Sequence, residues 1–279
     1  MTRLGFAYNP TSEAAVELRE RALGWCRRHG ADAWTAEADA TAVLVAELPT
    51  TDALVVLGGD GTFLRAARAV AEVDVPILGI NSGKIGFLSK AEAVQLDVVL
   101  GRLSKGEFEL ENRMVVEALI RPGGRPSRAA PFVALNEAAI VRGSQARVVR
   151  LEVAIDESHL ATYVADGLVV ATPTGSTGYS FSAGGPILDP TSRNLVVTPV
   201  AAYLAGIRSI VVSPRHTVTV RIESAHDVLM SIDGREDTPL EVGDSIVVRP
   251  RERPVRFVEP IGALPFWDLL RRKVELLPS

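Results

Sequence analysis

The run Gly58-Gly59-Asp60-Gly61-Thr62 combines a carboxylate with the small residues that a tight, ligand-accessible turn needs. The apolar run Ala53-Leu54-Val55-Val56-Leu57 precedes it and is typical of a strand buried on both faces of a parallel sheet. Thr62 is placed to cap a helix over residues 63–70, and such a strand-to-helix turn is a ready anion site. A carboxylate repels phosphate there unless a cation or a proton transfer involves it. The alternatives for Asp60 are a turn residue or a helix N-terminal carboxylate.

Two phosphate-binding fingerprints fail on spacing. The dinucleotide pattern Gly-x-Gly-x-x-Gly lacks its third glycine, because Leu64 occupies that place. The run Gly79-Ile80-Asn81-Ser82-Gly83-Lys84-Ile85 is one residue short of a P-loop between its glycines, and Ile85 replaces the magnesium-binding Ser or Thr.

Length and composition predict a soluble cytoplasmic protein with a full core. The chain has 279 residues, of which 47% are hydrophobic, and this suggests two domains or one large one. A formal charge of -4 and a pI near 5.7 argue against binding of nucleic acid or anionic membranes. The single cysteine, Cys26, fits a reducing compartment, and no apolar run reaches the length of about 18 residues expected of a membrane span.

The hydrophobic pattern changes character near residue 105. Over residues 1–104, strand and helix patterns alternate, which predicts an α/β domain with an open parallel sheet. Residues 105–254 hold short β-branched runs separated by turns, which predicts an all-β, sandwich-like domain. An amphipathic pattern over 266–274 predicts a closing helix, and we expect the segment 255–279 to return to the first domain.

A glycine- and hydroxyl-rich stretch, residues 166–186, interrupts the β pattern. Seven hydroxyl side chains lie between Thr172 and Ser182, counting both ends, and Tyr179 adds an aromatic face. These groups suit a nucleoside better than an apolar ligand. The alternative is a long loop that uses Gly and Ser for its turns, although loops of this length in a compact domain are usually functional.

The pair Asn136-Glu137 lies in the middle of an otherwise apolar run over 132–141. Polar residues in such a run either face solvent or line a site. The residue types alone favour solvent.

Taken together and in this order, four motifs resemble the NAD kinase family. They are Gly58-Gly59-Asp60-Gly61-Thr62, Asn81-Ser82-Gly83-Lys84-Ile85-Gly86-Phe87-Leu88, Asn136-Glu137, and Asp166-Gly167 followed by Thr172-Pro173-Thr174-Gly175-Ser176-Thr177-Gly178-Tyr179. The resemblance covers nearly the whole chain. The first motif alone is shared with diacylglycerol-type, sphingosine-type and 6-phosphofructokinase-type enzymes, but with the long fourth motif it becomes highly specific.

The resemblance implies an NAD kinase, which phosphorylates the adenosine-ribose 2′-hydroxyl of NAD with ATP to give NADP. Asp60 would be the base that accepts the proton of this hydroxyl, and the donor phosphates would lie against the glycine loop. The sequence contains no discrete metal-ligand cluster, so Mg²⁺ or another divalent cation is expected to arrive with ATP. The family pattern also implies a homodimer or homotetramer. Use of polyphosphate or NADH stays open.

The same resemblance assigns binding residues. Asn136 would bind the adenine side, Glu137 would accept hydrogen bonds from a ribose diol, and Asp166 would meet the nicotinamide carboxamide, in this family often from a neighbouring subunit. The residues that would surround the adenosine are Phe87, Thr177, Gly178, Tyr179 and Ser182. Arg147 matches a base or phosphate contact, although a solvated strand residue is an equal alternative. Further binding positions are Gly61, Arg65, Val164, Ala201 and Arg235.

Several positions depart from the family pattern. Many members have Thr-Ala-Tyr where this chain has Thr177-Gly178-Tyr179, and Val164 stands where some have a basic residue. Arg235 stands where a Gln is frequent, and the segment 200–206 is less polar than usual. Gly178 is expected to keep a backbone contact, whereas Val164 would remove a phosphate or ribose contact. The segment 200–206 bears on the nicotinamide side of the site and on any preference between NAD and NADH.

Two other functions are compatible with parts of the sequence. A related lipid or sugar kinase would use Asp60 on a different alcohol, but it predicts an apolar or anion-rich acceptor pocket rather than a hydroxyl-rich stretch. A non-catalytic NAD(P) sensor would keep the pocket and lose the base, whereas Asp60 is present.

Overall fold

The structure, a computed structural model, describes residues 2–83, 86–123, 130–143, 148–203, 206–224 and 227–275. The chain forms two compact units. The first unit contains Met1–Arg113 and Val255–Ser279, and the second contains Met114–Pro254. The first unit thus extends beyond the predicted boundary at residue 104, because the strand Phe108–Arg113 pairs with the strand Val255–Pro260.

The α-helices of the described chain all lie in the first unit except one short helix in the second. They are α1 (Glu13–His29), α2 (Thr41–Glu47), α3 (Asp60–Glu72), α4 (Leu96–Lys105), α5 (Tyr179–Ser182) and α6 (Phe266–Glu275).

The strands divide between the units at β6 and β7, and the last strand returns to the first unit. They are β1 (Arg3–Tyr8), β2 (Asp32–Glu37), β3 (Ala53–Leu57), β4 (Ile77–Asn81), β5 (Ala91–Glu92), β6 (Phe108–Arg113), β7 (Val116–Arg121), β8 (Phe132–Ala134), β9 (Glu137–Arg142), β10 (Val149–Ile155), β11 (Ser158–Ala165), β12 (Gly167–Ala171), β13 (Leu195–Val200), β14 (Ile210–Val212), β15 (Val218–Ser224), β16 (Val228–Ile232), β17 (Arg235–Leu240), β18 (Ser245–Pro250) and β19 (Val255–Pro260).

The first unit is built on a sheet of order β2-β1-β3-β4-β19-β6, with β5 paired to β4. All its pairs are parallel except β19 with β6. Every residue of β3 and β4 is buried, as expected of central strands covered on both faces. Because β3 and β4 are parallel neighbours, the loops that follow them lie at the same edge of the sheet.

Helix α1 shows how local sequence sets these elements. The Ser12 hydroxyl caps the helix by accepting a hydrogen bond from the Ala15 N–H at 3.3 Å. Gly30 ends it with φ 66°, a left-handed conformation that favours glycine. Apolar residues spaced three and four apart bury one stripe of the helix against the sheet. From the sequence, a cap at Thr11 or Ser12 and Gly30 just past the end predict a helix to about His29, and this prediction is confirmed.

The second unit is a sandwich of two six-stranded antiparallel sheets. Their orders are β11-β10-β15-β18-β7-β8 and β14-β13-β12-β9-β16-β17. Side chains from both sheets form one core, for example Leu151 and Val220 of the first sheet and Ile140 and Met230 of the second. The predicted fold class, an α/β domain followed by a β-sandwich-like domain and a C-terminal helix, is confirmed.

The structure divides one apolar run into two strands and starts one predicted helix earlier. The run over 132–141 is two strands, β8 and β9, with a bend at Leu135 and Asn136. The helix predicted to start at Phe63 starts at Asp60, because the Gly59 carbonyl already accepts hydrogen bonds from the N–H groups of Thr62 and Phe63. Within the described ranges, no helix is both long enough and apolar enough to span a membrane.

Candidate active site

The first candidate site lies where β3 passes into α3. Gly58 has φ 154°, and a Cβ there would lie 2.8 Å from the Thr62 hydroxyl oxygen, so this turn requires glycine. A Cβ added at Gly59 or Gly61, by contrast, would meet no atom within 4 Å. The backbone of the loop is therefore open to another molecule at the N-terminus of a 13-residue helix, where N–H groups and the helix dipole favour an anion.

The Asp60 carboxylate is held by the loop that follows β4. The Phe87 N–H donates to one of its oxygens at 2.8 Å, and the Leu88 N–H donates to the other at 3.1 Å. A Cβ at Gly86 would lie 1.9 Å from the Asp60 Oδ1, so only glycine permits this approach. The loops after β3 and β4 therefore border each other, and together they fix the direction of the carboxylate.

Two further predicted residues of this unit have contacts of their own. Phe87 packs toward α6, with its ring centroid 6.3 Å from that of Phe266 and the Lys273 ammonium 4.4 Å from its own centroid. The Arg65 Nη2 donates to the Thr62 hydroxyl at 3.1 Å. Phe87 is therefore anchored by the last helix, while Arg65 supports the first turn of α3.

The second candidate site is the bend between β8 and β9, which carries Asn136 and Glu137. The Thr172 N–H donates to the Asn136 carbonyl at 2.8 Å, and the Thr172 hydroxyl donates to the Leu135 carbonyl at 2.6 Å. These bonds attach the bend to the end of β12.

Glu137 does not face solvent, which corrects the expectation from residue type. Its side chain is buried at 5% exposure, and burial together with the nearby charge of Asp233 raises the pKa of its carboxyl to about 8. In the part of the chain that the structure describes, Glu137 Oε2 and Asn136 Oδ1 are buried without a hydrogen-bond partner. Two adjacent polar side chains thus offer unused hydrogen-bonding atoms, the condition of groups that a ligand completes.

The hydroxyl-rich stretch forms compact structure next to this pair. Residues Thr174–Thr177 make a 3₁₀ turn, and α5 follows directly. Gly175 packs so closely that a Cβ would lie 2.1 Å from the Asn136 carbonyl oxygen, and a Cβ at Gly178 would lie 3.3 Å from Glu137 Oε2. The stretch is therefore not a structureless loop, and it forms a wall beside Asn136 and Glu137.

The side chains of this wall differ in their hydrogen bonds and in their exposure. The hydroxyls of Thr177 and Ser182 donate to the carbonyls of Thr174 and Tyr179, at 3.2 and 2.9 Å. The Tyr179 ring is exposed, and its pKa is raised by burial of the hydroxyl and by the charges of Asp166 and Glu137. Tyr179 is therefore partly accessible, and the charges of both acids reach it.

The other predicted residues of the second unit are more scattered. Asp166 forms a two-point ion pair with Arg142, at 2.9 and 3.0 Å. Val164 is half-buried in β11, and its carbonyl accepts from the Tyr203 N–H at 2.8 Å. Ala201 is exposed with φ 46°, and Arg235 is exposed at the start of β17. Arg147 lies outside the described residues.

Sequence reasoning missed the residues that support the site. Asp233 accepts hydrogen bonds from the backbone of the Asn136-Glu137 bend, Thr172 ties this bend to β12, and Arg142 pairs with Asp166. The only signal for Asp233 was its place before Gly234, which is typical of a two-residue hairpin turn. Among the residues that the structure describes, no group of three or more His, Cys, Asp or Glu side chains is arranged to hold a metal ion.

Comparisons with known proteins cover both units. Residues 5–108 match the family model of the ATP-NAD kinase N-terminal domain, and residues 135–260 match that of the ATP-NAD kinase C-terminal domain. The NAD kinase of Syntrophotalea carbinolica is 37% identical over 98% of each chain. The NAD kinase of Gemmatimonas aurantiaca is 42% identical over 80% of this chain and 77% of its own length.

Solved structures show the same fold. Yeast NADH kinase complexed with NADH superposes with a TM-score of 0.86 at 24% identity, covering 99% of this chain and 87% of the yeast chain. The NAD kinase from Archaeoglobus fulgidus in complex with ATP superposes with a TM-score of 0.80 at 27% identity, covering 99% of this chain and all of the other. The family models match both the open parallel sheet with its Gly-Gly-Asp-Gly turn and the β-sandwich with its Asn-Glu pair, and the relatives span both units. The chain therefore belongs to the NAD kinase family and is a kinase that phosphorylates NAD.

Proposed function

We propose that the chain transfers the terminal phosphoryl group of ATP to the 2′-hydroxyl of the adenosine ribose of NAD, with Asp60 as general base. The observation that carries this proposal is the fixed carboxylate of Asp60 at the turn from β3 into α3. Each of its oxygens accepts one backbone hydrogen bond, which leaves a lone pair on each for a substrate proton. A ribose hydroxyl needs such a base because its pKa lies far above neutral.

The proposed step balances without a further reactant. The 2′-oxygen forms a bond to the terminal phosphorus while the bond from that phosphorus to the bridging oxygen of ATP breaks. The hydroxyl proton passes to Asp60, and ADP leaves with the bridging oxygen. Asp60 then returns the proton to solvent.

The donor phosphates are proposed to lie over the glycine loop. The open space at Gly59 and Gly61 and the N-terminus of α3 supply room and backbone donors for them. Asp60 provides carboxylate oxygen of the kind that Mg²⁺ takes, but most ligands of this ion are expected to be nucleotide phosphates and water. When bound, the ion supplies charge neutralisation at the transferred group.

The second unit is proposed to bind the adenosine of NAD. Asn136 Oδ1 can accept from the adenine amino group, and Glu137 Oε2 can accept from a ribose diol, since both atoms are buried and lack partners within the described residues. Tyr179 offers its exposed ring for stacking on a planar base. The proposal also includes binding roles for the other residues that the family resemblance assigns. They are Gly61, Arg65, Phe87, Arg147, Val164, Asp166, Thr177, Gly178, Ser182, Ala201 and Arg235.

Assembly and location complete the proposal. The family resemblance supports a homodimer or homotetramer, and the use of one cysteine in 279 residues supports the cytoplasm. Light scattering on the purified chain tests the assembly, because a monomer at all concentrations would contradict it.

The test of function is NADP formation from NAD, ATP and magnesium. The product is detected with an NADP-specific dehydrogenase, which reads only a phosphate on the 2′-position. NADH and polyphosphate run in parallel define the acceptor and donor range. Binding of NAD without turnover would indicate a sensor and overturn the proposed reaction, and phosphorylation at another hydroxyl would overturn the proposed position.

A further inference from the structure

We infer that Asp233 is a positioning residue for NAD binding, because its carboxylate holds the backbone of Asn136 and Glu137 and thereby directs their side chains. No role for Asp233 follows from the motifs that assign the site. The inference rests on the proposed binding of adenosine by Asn136 and Glu137.

The geometry at Asp233 is a carboxylate surrounded by consecutive backbone donors. Asp233 Oδ2 accepts from the Leu135 N–H at 3.0 Å. Oδ1 accepts from the N–H groups of Asn136 and Glu137, at 2.7 and 3.1 Å. The Asp233 N–H in turn donates to the Glu137 carbonyl at 3.0 Å. Three successive N–H groups that converge on one anion fix the local backbone conformation.

These donors need Asp233 because strand pairing is interrupted at the bend. Leu135 and Asn136 lie between β8 and β9, outside both strands. Buried N–H groups without an acceptor are costly, and Asp233, itself 6% exposed, supplies the acceptors here. The bend that carries the two binding side chains is therefore held from the turn between β16 and β17.

The turn places Asp233 rigidly. Asp233 and Gly234 have φ 52° and 69°, the two positive values of a tight turn between antiparallel strands. The pairing of Ile232 with Ala138 sets the turn beside the start of β9. The sheet thus fixes the conformation of Asp233. The hydrogen bonds of Asp233 in turn fix the backbone of Asn136 and Glu137.

Asp233 also acts on Glu137 through its charge, which provides a readout that packing alone would not move. The pKa of Glu137 is raised to about 8 by burial and by Asp233. Tyr179 also faces Glu137, and Asp166 and Arg142 act on Tyr179. Because the pKa of Tyr179 is raised from 10, its hydroxyl stays neutral between pH 6 and 9. The ionised Glu137 accepts from a diol more strongly than the neutral carboxyl, in which one oxygen carries a proton, so NAD affinity should rise with pH through about 8.

The test is Asp233→Asn, which keeps the size of the side chain but turns one acceptor into a donor. We expect the KM for NAD to rise about tenfold, since one or two hydrogen bonds that orient the bend are lost. The KM for ATP and kcat should stay within about twofold, as expected for a loss of uniform binding. The rise of NAD affinity with pH should move to lower pH, because burial still raises the pKa of Glu137 but the added effect of the Asp233 charge is gone.

The matched control is Asp244→Asn in the same unit. Asp244 is equally buried, at 7% exposure, and accepts from the N–H groups of Gly123 and Glu241 at 2.9 and 3.0 Å. It supports a different turn, so D244N should leave the KM for NAD and its pH dependence unchanged. Circular dichroism establishes that each variant is folded. If D233N does not fold, Asp233→Ser, which keeps one acceptor, is measured in its place.

Asn136→Ala and Glu137→Gln separate this inference from the proposed function. If both weaken NAD binding while D233N leaves the KM and the pH midpoint unchanged, the positioning role of Asp233 is wrong. If neither weakens NAD binding, the proposed adenosine site is wrong. A KM effect in D233N without a shift of the pH midpoint would reduce Asp233 to a general structural role and overturn the inference.

Discussion

The two units hold their key carboxyl groups in opposite ways. In the first unit, backbone donors bind both side-chain oxygens of Asp60 directly. In the second unit, the backbone of Glu137 is held by Asp233 while its side-chain Oε2 stays buried and unsatisfied by the described residues. A base must point at its target before the substrate arrives, whereas a binding carboxyl can be completed by the ligand. The contrast matches the proposed roles of proton acceptor and ligand contact.

The two carboxyl groups also differ in how burial affects them. Burial raises the pKa of Glu137 to about 8, so binding of a hydrogen-bond donor is coupled to loss of a proton. Asp60 is partly accessible at an open glycine loop, where orientation rather than desolvation is the main contribution of the fold. Substitutions in the two regions should therefore change different kinetic constants.

The largest expected effect is that of Asp60→Asn. The amide cannot accept the proton of the hydroxyl, so turnover should fall by about 10³-fold, within the range for loss of a general base. NAD binding, measured by calorimetry, should be retained. The matched control is Asp97→Asn, an exposed acid in the first turn of α4, which should leave turnover unchanged. Unchanged turnover in D60N would remove Asp60 from the base role.

Gly86→Ala tests whether orientation of Asp60 is what matters. The added Cβ would fall 1.9 Å from Asp60 Oδ1, so the carboxylate or the loop must shift by an ångström or more. We expect kcat to fall about 10²-fold, the usual consequence of misplacing a reacting group by that distance. Gly83→Ala in the same loop is the control, because its Cβ would meet no atom within 4 Å. Equal kcat values for the two variants would contradict the proposed orientation effect.

Gly175→Ala and Gly178→Ala probe the wall beside Glu137. A Cβ at Gly175 would lie 2.1 Å from a backbone oxygen of Asn136 and must displace the bend, so NAD affinity should fall about tenfold or more. A Cβ at Gly178 would lie 3.3 Å from the Glu137 carboxyl, which can move by a few tenths of an ångström. Its effect on the NAD dissociation constant should stay below about threefold. A larger loss of NAD affinity in Gly178→Ala than in Gly175→Ala would contradict the proposal that the wall positions Asn136 and Glu137 for NAD.

The smallest expected effect is on stability, in Glu137→Gln. The folded protein holds a proton on Glu137 up to about pH 8, whereas the unfolded chain releases it near its ordinary pKa of 4.5. The wild type therefore loses unfolding free energy as pH rises through this window, by about 1 kcal/mol between pH 6 and 7. The E137Q variant has no titratable group at this position, so its free energy of unfolding should not show this decrease between pH 6 and 7. Urea unfolding at both pH values measures the difference, and parallel changes in the two proteins would show that the pKa of Glu137 is not raised.

Sequence patterns predicted the structure correctly where it depends on residues that are close together in the chain. The cap at Ser12, the left-handed Gly30 and the apolar stripe between them predicted α1, because each acts within one or two helical turns. The change from alternating helix and strand patterns to short β-branched runs predicted the two kinds of unit. The first turn of α3 was less well predicted, since the Gly59 carbonyl accepts the hydrogen bonds that start the helix.

The Asn136-Glu137 bend shows where local patterns fail. Residue type favoured solvent for Glu137, yet the side chain is buried. The hydrogen bond between Asp233 and the Glu137 N–H joins residues 96 positions apart, and no pattern within one element contains that distance. Sheet pairing of β9 with β16 brings them together. The same holds for Arg142, the last residue of β9, and Asp166, which directly precedes β12, because β9 and β12 are paired.

By itself, the sequence determined where residue types suited to the proposed chemistry lie in the chain. Glycines at positions that need open or left-handed backbone, a carboxylate at a strand-to-helix turn, and a hydroxyl-rich stretch before a tyrosine are all properties of residue type and order. Only the tertiary structure decided how those groups are tuned. The direction of Asp60, the raised pKa of Glu137 and the support by Asp233 depend on burial and on hydrogen bonds between distant segments, and both arise only when the sheets have formed.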